Sequence, residues 1–117
     1  SVFYEIIENY RHFLYLGDTS LGTYDLVTNI VFSSTTQAVA FAARTDKKWY
    51  VVLDEQSYGP YGYIQDLQFA LDGQALAYNV IIDGNYYSRI VVDGQEHMGS
   101  ICNGEILYVQ DRKTYRK

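Results

Sequence analysis

The sequence contains few of the residues that build disulfide-bonded scaffolds, cysteine-based zinc sites or membrane-spanning helices. Its 117 residues include one cysteine, one proline, one methionine and one tryptophan. The single cysteine, Cys102, cannot form an internal disulfide, which excludes a Cys-rich scaffold and a cysteine zinc site. No apolar run reaches the roughly 18 residues that a spanning helix needs, so no membrane partner is expected. These absences leave the cellular compartment open.

Positive charge is also scarce, and much of it lies at one end of the chain. The net charge is -5, and positions 112–117 hold four of the nine basic residues. The rest of the chain has five basic against 14 acidic residues, a net charge of -9. Because so acidic a surface repels phosphate backbones, we expect no nucleic-acid partner. The basic segment is interpreted as a solvated chain end or a truncated strand, with binding to an anionic partner as the alternative.

Aromatic residues are abundant and favour strands. The chain has 13 tyrosines and five phenylalanines, and 48% of its residues are hydrophobic. Aromatic rings pack well on a pleated surface, so an all-β fold is predicted. The length is typical of one domain with its own core.

The main signal in the sequence is an internal repeat of about 37 residues. Shifting the chain by 37 positions superposes identical residues without a gap. Examples of these identical pairs are Leu16 with Leu53, Gly22 with Gly59, Tyr24 with Tyr61 and Phe32 with Phe69. A third copy follows when two residues are added in the hairpin after the Ala-rich strand at 74–82. One domain over 1–117 is therefore predicted, with antiparallel repeat units at 1–36, 37–73 and 74–104 and a partial unit at 105–117.

Each unit is predicted to contain short strands separated by turns. In the second unit the strands fall near 27–33, 37–44, 47–54 and 61–64, and in the third near 65–70, 74–82, 86–93 and 96–101. Asp-Gly pairs end at Gly73, Gly84 and Gly94, and they supply the positive φ angles of tight hairpins. The run 38–43 does not alternate polar with apolar residues, so both of its faces should be buried.

The segment Phe69-Ala-Leu-Asp-Gly-Gln-Ala-Leu-Ala-Tyr78, followed by Ser88-Arg-Ile-Val-Val-Asp-Gly94, resembles the WD40-like repeat of TolB-type β-propellers. The family pattern is Phe-Ser-Pro-Asp-Gly, then a small-aliphatic-aromatic strand, then a strand ending in Val-Asp-Gly. This chain departs from it at Leu71, where proline is common, and at 33–36, where Ser-Ser-Thr-Thr replaces the Asp-Gly turn. The resemblance implies about three propeller blades without chemistry of their own. Family members are binding platforms or propeller lids beside a peptidase domain.

About three blades do not close a ring, because propellers have about four to eight. An open arrangement leaves strand edges and apolar faces uncovered. We therefore expect either self-association, with the chain as part of an oligomeric propeller, or an open fragment completed by further blades from a longer chain.

No complete metal-binding or nucleophilic set is apparent. The two histidines, His12 and His97, lie in different units, whereas a metal site needs about three protein ligands. Cys102 follows His97 by five positions, and residues five apart on one strand point to opposite faces. A buried or shielded free thiol is expected at Cys102.

The acidic pairs have plainer interpretations than catalysis. Paired carboxylates such as Asp54 with Glu55, or Glu5 with Glu8, are the groups that sugar hydrolysis uses. Turn and solvent roles account for them here, and the aspartates of the Asp-Gly pairs are turn formers rather than calcium ligands. We predict no metal, no cofactor and no enzyme activity.

Tyrosines in glycine-flanked segments are the feature most typical of a binding surface, because their rings give large, stiff contact area. The predicted binding residues are Tyr58, Tyr63, Tyr86 and Tyr87. Tyr61 is assigned a structural role, since Tyr24 occupies the same place in the preceding copy. The leading hypothesis is a non-enzymatic propeller-type binding or scaffold module for a protein or peptide. The alternatives are an accessory propeller of a larger, peptidase-type hydrolase and a glycan-binding module.

Overall fold

The computed structural model describes residues 2–102, 105–108 and 113–117, which form β-strands joined by short turns. In this part of the chain, thirteen strands build three antiparallel sheets, and no residue is helical. No helix that is long and apolar enough to cross a membrane occurs among them. The prediction of an all-β fold with antiparallel sheets is confirmed.

The sheets follow one another along the chain. The first contains, in spatial order, β1 (Phe3–Glu8), β2 (Arg11–Leu16) and β3 (Thr19–Tyr24). The second contains β4 (Leu26–Phe32), β5 (Val39–Thr45), β6 (Lys48–Leu53) and β7 (Gln56–Tyr61). The third contains β8 (Tyr63–Phe69), β9 (Ala75–Ile82), β10 (Asn85–Val92), β11 (Gln95–Cys102), β12 (Glu105–Tyr108) and β13 (Lys113–Arg116).

The 37-residue spacing recurs in the backbone. β2 and β3 begin and end 37 positions before β6 and β7, and β4 does the same relative to β8. The Gly17 N–H donates to the Val2 carbonyl at 2.7 Å, and the equivalent Asp54 N–H donates to the Val39 carbonyl at 3.0 Å. Successive sheets therefore share strand bounds and turn hydrogen bonds.

Two-residue turns join β1 to β2, β5 to β6 and β9 to β10, which are equivalent hairpins by the 37-residue spacing. Both turn residues have positive φ at Asn9–Tyr10, at Asp46–Lys47 and at Asp83–Gly84. Because these turns have equal length, the two residues added in the third copy do not lie in the hairpin where the sequence alignment put them. They lengthen the next strand instead, since β10 has eight residues and β6 has six.

The fourth strand of the second sheet lies earlier than predicted. It is β7, whereas the predicted piece at 61–64 spans Gly62, where one sheet ends and the next begins. β7 contains Pro60, which is tolerated because β7 is an edge strand, where a missing backbone N–H costs no sheet hydrogen bond.

The sheets pack face to face in chain order. A first apolar cluster joins the first sheet to the second through Leu14, Leu21, Val39, Phe41, Ala43 and Val52. A second cluster joins the second sheet to the third, and it includes Ala40, Ala42, Val51, Ile64, Leu76, Tyr78 and Val80. Residues 39–43 of β5 are fully buried because alternate side chains enter different clusters. The prediction that both faces of this strand are buried is confirmed.

One of the three sheets is a curled half-barrel, and the packing of β12 and β13 over β9 and β10 assigns it to the third sheet. There Ile106 and Tyr115 pack over the face of the sheet that carries Ala75, Ala77 and Ile90. The segment 105–117, which the sequence assigned to a partial further unit, continues this sheet in its described residues, because β12 pairs with β11. Its apolar side chains thereby cover a face that would otherwise lie open to water.

Candidate functional site

Tyr63 and Tyr86 lie on the same face of the third sheet, on either side of Ile81. Tyr63 pairs with Ile81 across β8 and β9, and Tyr86 pairs with Ile81 across β9 and β10. Directly opposed residues of antiparallel strands point to one face, so the three side chains form a row. Tyr63 is 41% exposed and Tyr86 is 67% exposed. We call this row the aromatic patch.

Two local features hold the aromatic patch in place. The Gly62 N–H donates to the Ile81 carbonyl at 2.9 Å, and a Cβ at Gly62 would lie 2.7 Å from that oxygen. Only glycine allows this approach, which fixes where β8 begins. At the other side of the row, the Asp83–Gly84 turn sets the register of Tyr86.

The aromatic patch is connected to the core through Trp49. The Tyr63 ring meets the Trp49 ring edge to face, with centroids 5.4 Å apart and planes at 87°. Trp49 is buried between the second and third sheets, and β8 is an edge strand, so the Tyr63 ring reaches round the sheet edge toward that cluster and one side of the ring is fixed by packing. Such support reduces the conformational entropy that the ring loses on binding.

The structure does not bring Tyr87 into this patch. Tyr87 pairs with Val80, whose side chain enters the cluster between the second and third sheets, so its ring lies on the opposite face from Tyr86. The Arg89 guanidinium lies over the Tyr87 ring, 5.5 Å from its centroid. This cation–π contact gives an exposed ring an intramolecular partner.

Tyr58 is directed into the contact between sheets. Its hydroxyl lies 2.8 Å from Gln56 Oε1 and 3.0 Å from the Gly94 carbonyl, and it can donate to either. The Gly94 contact ties β7 to the β10–β11 turn of the next sheet. Burial, and secondly the negative charge of Glu96, raises the pKa of Tyr58. The hydroxyl therefore acts as a neutral donor that links two sheets.

A polar cluster at the same interface was not predicted from the sequence. The Tyr78 hydroxyl donates to a Glu96 carboxylate oxygen, and the Tyr61 hydroxyl lies 3.3 Å from that of Tyr78. Arg89 Nε lies 4.0 Å from the other Glu96 oxygen. Burial raises the pKa of Glu96, and burial also raises the pKa of Tyr78 strongly. Tyr61 has the structural position expected for it, while Glu96 carried no sequence signal, because its partners come from other strands.

The histidines have partners that suit structural roles. His12 Nδ1 lies 2.8 Å from Glu5 Oε2, and His97 Nδ1 lies 3.0 Å from the Tyr108 hydroxyl, with its ring stacked on that of Tyr108. Among the described residues, no group of three His, Cys, Asp or Glu side chains could hold a metal ion.

Cys102 is exposed, so the expectation of a buried or shielded thiol is wrong. Its neighbour Ile101 packs in the cluster under β12 and β13. Because successive strand residues point to opposite faces, Cys102 projects from the other face of β11, at the end of the strand.

Comparisons of the chain with models of protein families, with curated proteins and with solved structures find no match. The resemblance to the WD40-like repeat therefore stays a prediction from the sequence. Any functional conclusion depends on the geometry of the chain's own residues.

Proposed function

We propose that this chain is a non-enzymatic binding or scaffold module of the β-propeller type, and that it holds a protein or peptide partner at the aromatic patch. The observation that carries the proposal is the row formed by Tyr63, Ile81 and Tyr86. Two exposed rings flank an aliphatic side chain, and one ring is fixed against Trp49.

The repeated arrangement of strands supports the propeller part of the proposal. The second sheet and the first four strands of the third have the same meander order, and they stack on one another in chain order. β4 and β8, the first strands of these two sheets, lie against each other. Radially stacked meanders have this relationship between their innermost strands.

The chemistry of the aromatic patch favours a protein or peptide. Tyrosine rings contribute apolar area at low entropic cost, and their hydroxyls can hydrogen-bond backbone groups of a ligand. Such rings are enriched among the residues that dominate binding energy at protein interfaces.

A peptide selection tests this proposal directly. Peptides would be selected from a displayed random library on the purified chain, and their affinities measured for the wild type and for the Tyr63→Ala/Tyr86→Ala double variant. We expect the double variant to bind about tenfold more weakly or worse, because it loses two anchoring rings.

The matched control is Tyr10→Ala, which removes a highly exposed ring from the equivalent turn of the first sheet. It should leave the affinities unchanged. Selected peptides that bind equally to the double variant would contradict the proposal. Glycan-array binding that requires Tyr63 and Tyr86, with no peptide selected, would instead identify a glycan-binding module.

A further inference from the structure

A row of hydrogen-bonded polar side chains lies beside the aromatic patch on the same face of the third sheet. The Ser88 hydroxyl donates to Asn79 Oδ1 at 2.7 Å, and Asn79 Nδ2 donates to Asp66 Oδ2 at 2.9 Å. Asn79 precedes Ile81 by two positions on β9, so both side chains point to one face. We call Asp66, Asn79 and Ser88 the polar row. It lies about 7 Å from the aromatic patch, which is the rise of two strand residues.

Polar residues are not a general feature of these positions in the repeat. By the 37-residue spacing, Asn79 and Ser88 correspond to Ala42 and Val51, and each of these pairs is matched across its own sheet. Ala42 and Val51 are fully buried in the cluster that joins the second sheet to the third. The third sheet therefore has hydrogen-bonding groups where the second sheet has apolar packing.

The apolar part of the same face is covered within the third sheet itself. Ile106 of β12 and Tyr115 of β13 pack over Ala77 and Ile90. The face thus divides into an apolar half, which the last strands of the sheet cover, and a half that carries the polar row. The identity of the polar residues, rather than their exposure alone, marks this half as a surface for a polar ligand group.

Asp66 is fixed so that its carboxylate lies along this face. It occupies the point where the pairing of β8 with β9 shifts register, between Gln65 and Gln68, and its φ is 58°. Its side chain is exposed, and its Oδ2 accepts the hydrogen bond from Asn79. Within the part of the chain that the structure describes, Asp66 forms no ion pair. A positioned carboxylate of this kind is a strong acceptor for a cationic donor.

An arginine side chain fits the aromatic patch and the polar row together. Its planar guanidinium matches the geometry of a carboxylate and stacks on aromatic rings, while its aliphatic stem covers apolar surface. This chain already uses such a contact on the opposite face of the sheet, where the Arg89 guanidinium lies 5.5 Å from the centroid of Tyr87. The net charge of -5 adds a general attraction for a basic ligand.

We propose that the aromatic patch and the polar row bind a peptide through one arginine side chain. The stem of this arginine lies across Ile81 between the Tyr63 and Tyr86 rings, and its guanidinium donates to the carboxylate of Asp66. Asn79 holds that carboxylate in place. The inference rests on the proposed function and deepens it, because it names the ligand residue that the patch selects.

Affinities of matched peptides for matched variants test this contact. Among peptides selected on the purified chain, those that lose affinity for Tyr63→Ala/Tyr86→Ala would be sequenced, and we expect them to share an arginine. One would be resynthesised with citrulline, the neutral analogue of arginine, and both versions titrated by fluorescence anisotropy. Asp66→Asn should weaken binding of the arginine peptide about tenfold and change that of the citrulline peptide less than about twofold. The variant should retain the fold, since the equivalent Asn29 has a φ of 56°.

Two further variants control for charge. Asp93→Asn removes the same charge from the β10–β11 turn, at the other end of the sheet, where Asp93 also has positive φ. It should leave both affinities unchanged. Asp83→Asn removes a carboxylate from the β9–β10 turn, beside the aromatic patch, and should preserve the preference for arginine over citrulline.

The possible failures are distinguishable. Equal affinity of the arginine peptide for Asp66→Asn and wild type would overturn the inference, as would a preference for arginine that Asp83→Asn abolishes. Patch-dependent peptides without arginine would overturn it and leave the proposed function intact. Selected peptides that bind the double tyrosine variant as tightly as wild type would contradict the proposed function itself. Glycan binding that Asp66→Asn abolishes, with no peptide selected, would overturn both. Circular dichroism of each variant would verify its fold.

Discussion

The hydroxyl of Tyr78 donates a hydrogen bond to the carboxylate of Glu96 within the contact between the second and third sheets. The Tyr61 hydroxyl lies 3.3 Å from that of Tyr78 and extends this series of hydrogen bonds across the interface. Glu96 is thus an ionisable group that lies where two units of the repeat meet, and burial there raises its pKa. The packing of the two sheets should therefore depend on pH.

We expect the stability of the wild type to fall, relative to Glu96→Gln, as the pH rises from acidic to neutral. A carboxyl whose pKa is raised by folding favours the folded state fully below its unfolded pKa of about 4.3. That contribution is lost as the pH rises through the folded pKa. The advantage of the Gln variant at pH 7 should stay below about 1 kcal/mol, because Glu96 remains partly exposed.

Urea unfolding of both proteins between pH 4 and pH 8 would measure this difference in unfolding free energy. Glu55→Gln, at an exposed turn position, is the matched control and should show no comparable trend. A Glu96→Gln variant with the same pH profile as the wild type would contradict the assignment.

Substitutions of two aromatic residues that are 37 positions apart, and so equivalent in the repeat, should have different effects on stability. Phe41 is fully buried between the first and second sheets, while its equivalent Tyr4 is 40% exposed on the outer face of the first sheet. Phe41→Ala should cost about 3–5 kcal/mol by leaving a cavity, and Tyr4→Ala about 1 kcal/mol or less. Chemical denaturation would measure both values. Equal losses would mean that the outer face of the first sheet is covered in solution.

Alanine substitutions at two glycines beside strands of the third sheet should also have unequal effects on the free energy of unfolding. A Cβ at Gly62 would lie 2.7 Å from the Ile81 carbonyl oxygen, whereas a Cβ at Gly84 would have no atom within 4 Å. Gly84→Ala should cost only about 1 kcal/mol for its positive φ. Gly62→Ala should cost more, because the backbone must shift. Thermal unfolding would rank the two, and the reverse order would exclude the close approach of β8 to β9.

Cys102 should react with a thiol reagent in the native protein, because its side chain is exposed. Labelling with a chromogenic disulfide without denaturant would measure the rate. We expect a rate within about tenfold of that of the unfolded chain. Labelling that requires unfolding would show that the thiol is shielded.

Local sequence signals predicted the strands whose ends are marked by turn residues. The Asp83–Gly84 turn and the apolar run of β5 lie where the sequence put them. β7 lies earlier than the predicted piece at 61–64, and its Pro60 is acceptable in a strand only because β7 is at the sheet edge, which is a tertiary property. Whether β12 pairs with β11 or begins a new sheet depends on which apolar face needs cover, and that is a tertiary property.

The candidate site was predictable only in part. Exposed loop tyrosines stood out in the sequence, but whether two of them share a face depends on strand register. Ile81 brings Tyr63 and Tyr86 together, while Tyr58 and Tyr87 have intramolecular partners. Glu96 was missed because the sequence does not show which tyrosines meet it across the sheets.

The stacking of repeat units in chain order is tested most directly by nuclear Overhauser contacts of Phe41 and Tyr78, which occupy equivalent positions. We expect the Phe41 ring to contact Leu14 of the first sheet, and the Tyr78 ring to contact Tyr61 of the second. Contacts between Tyr78 and Leu14, or the absence of any contact between Phe41 and the first sheet, would contradict the stacked arrangement.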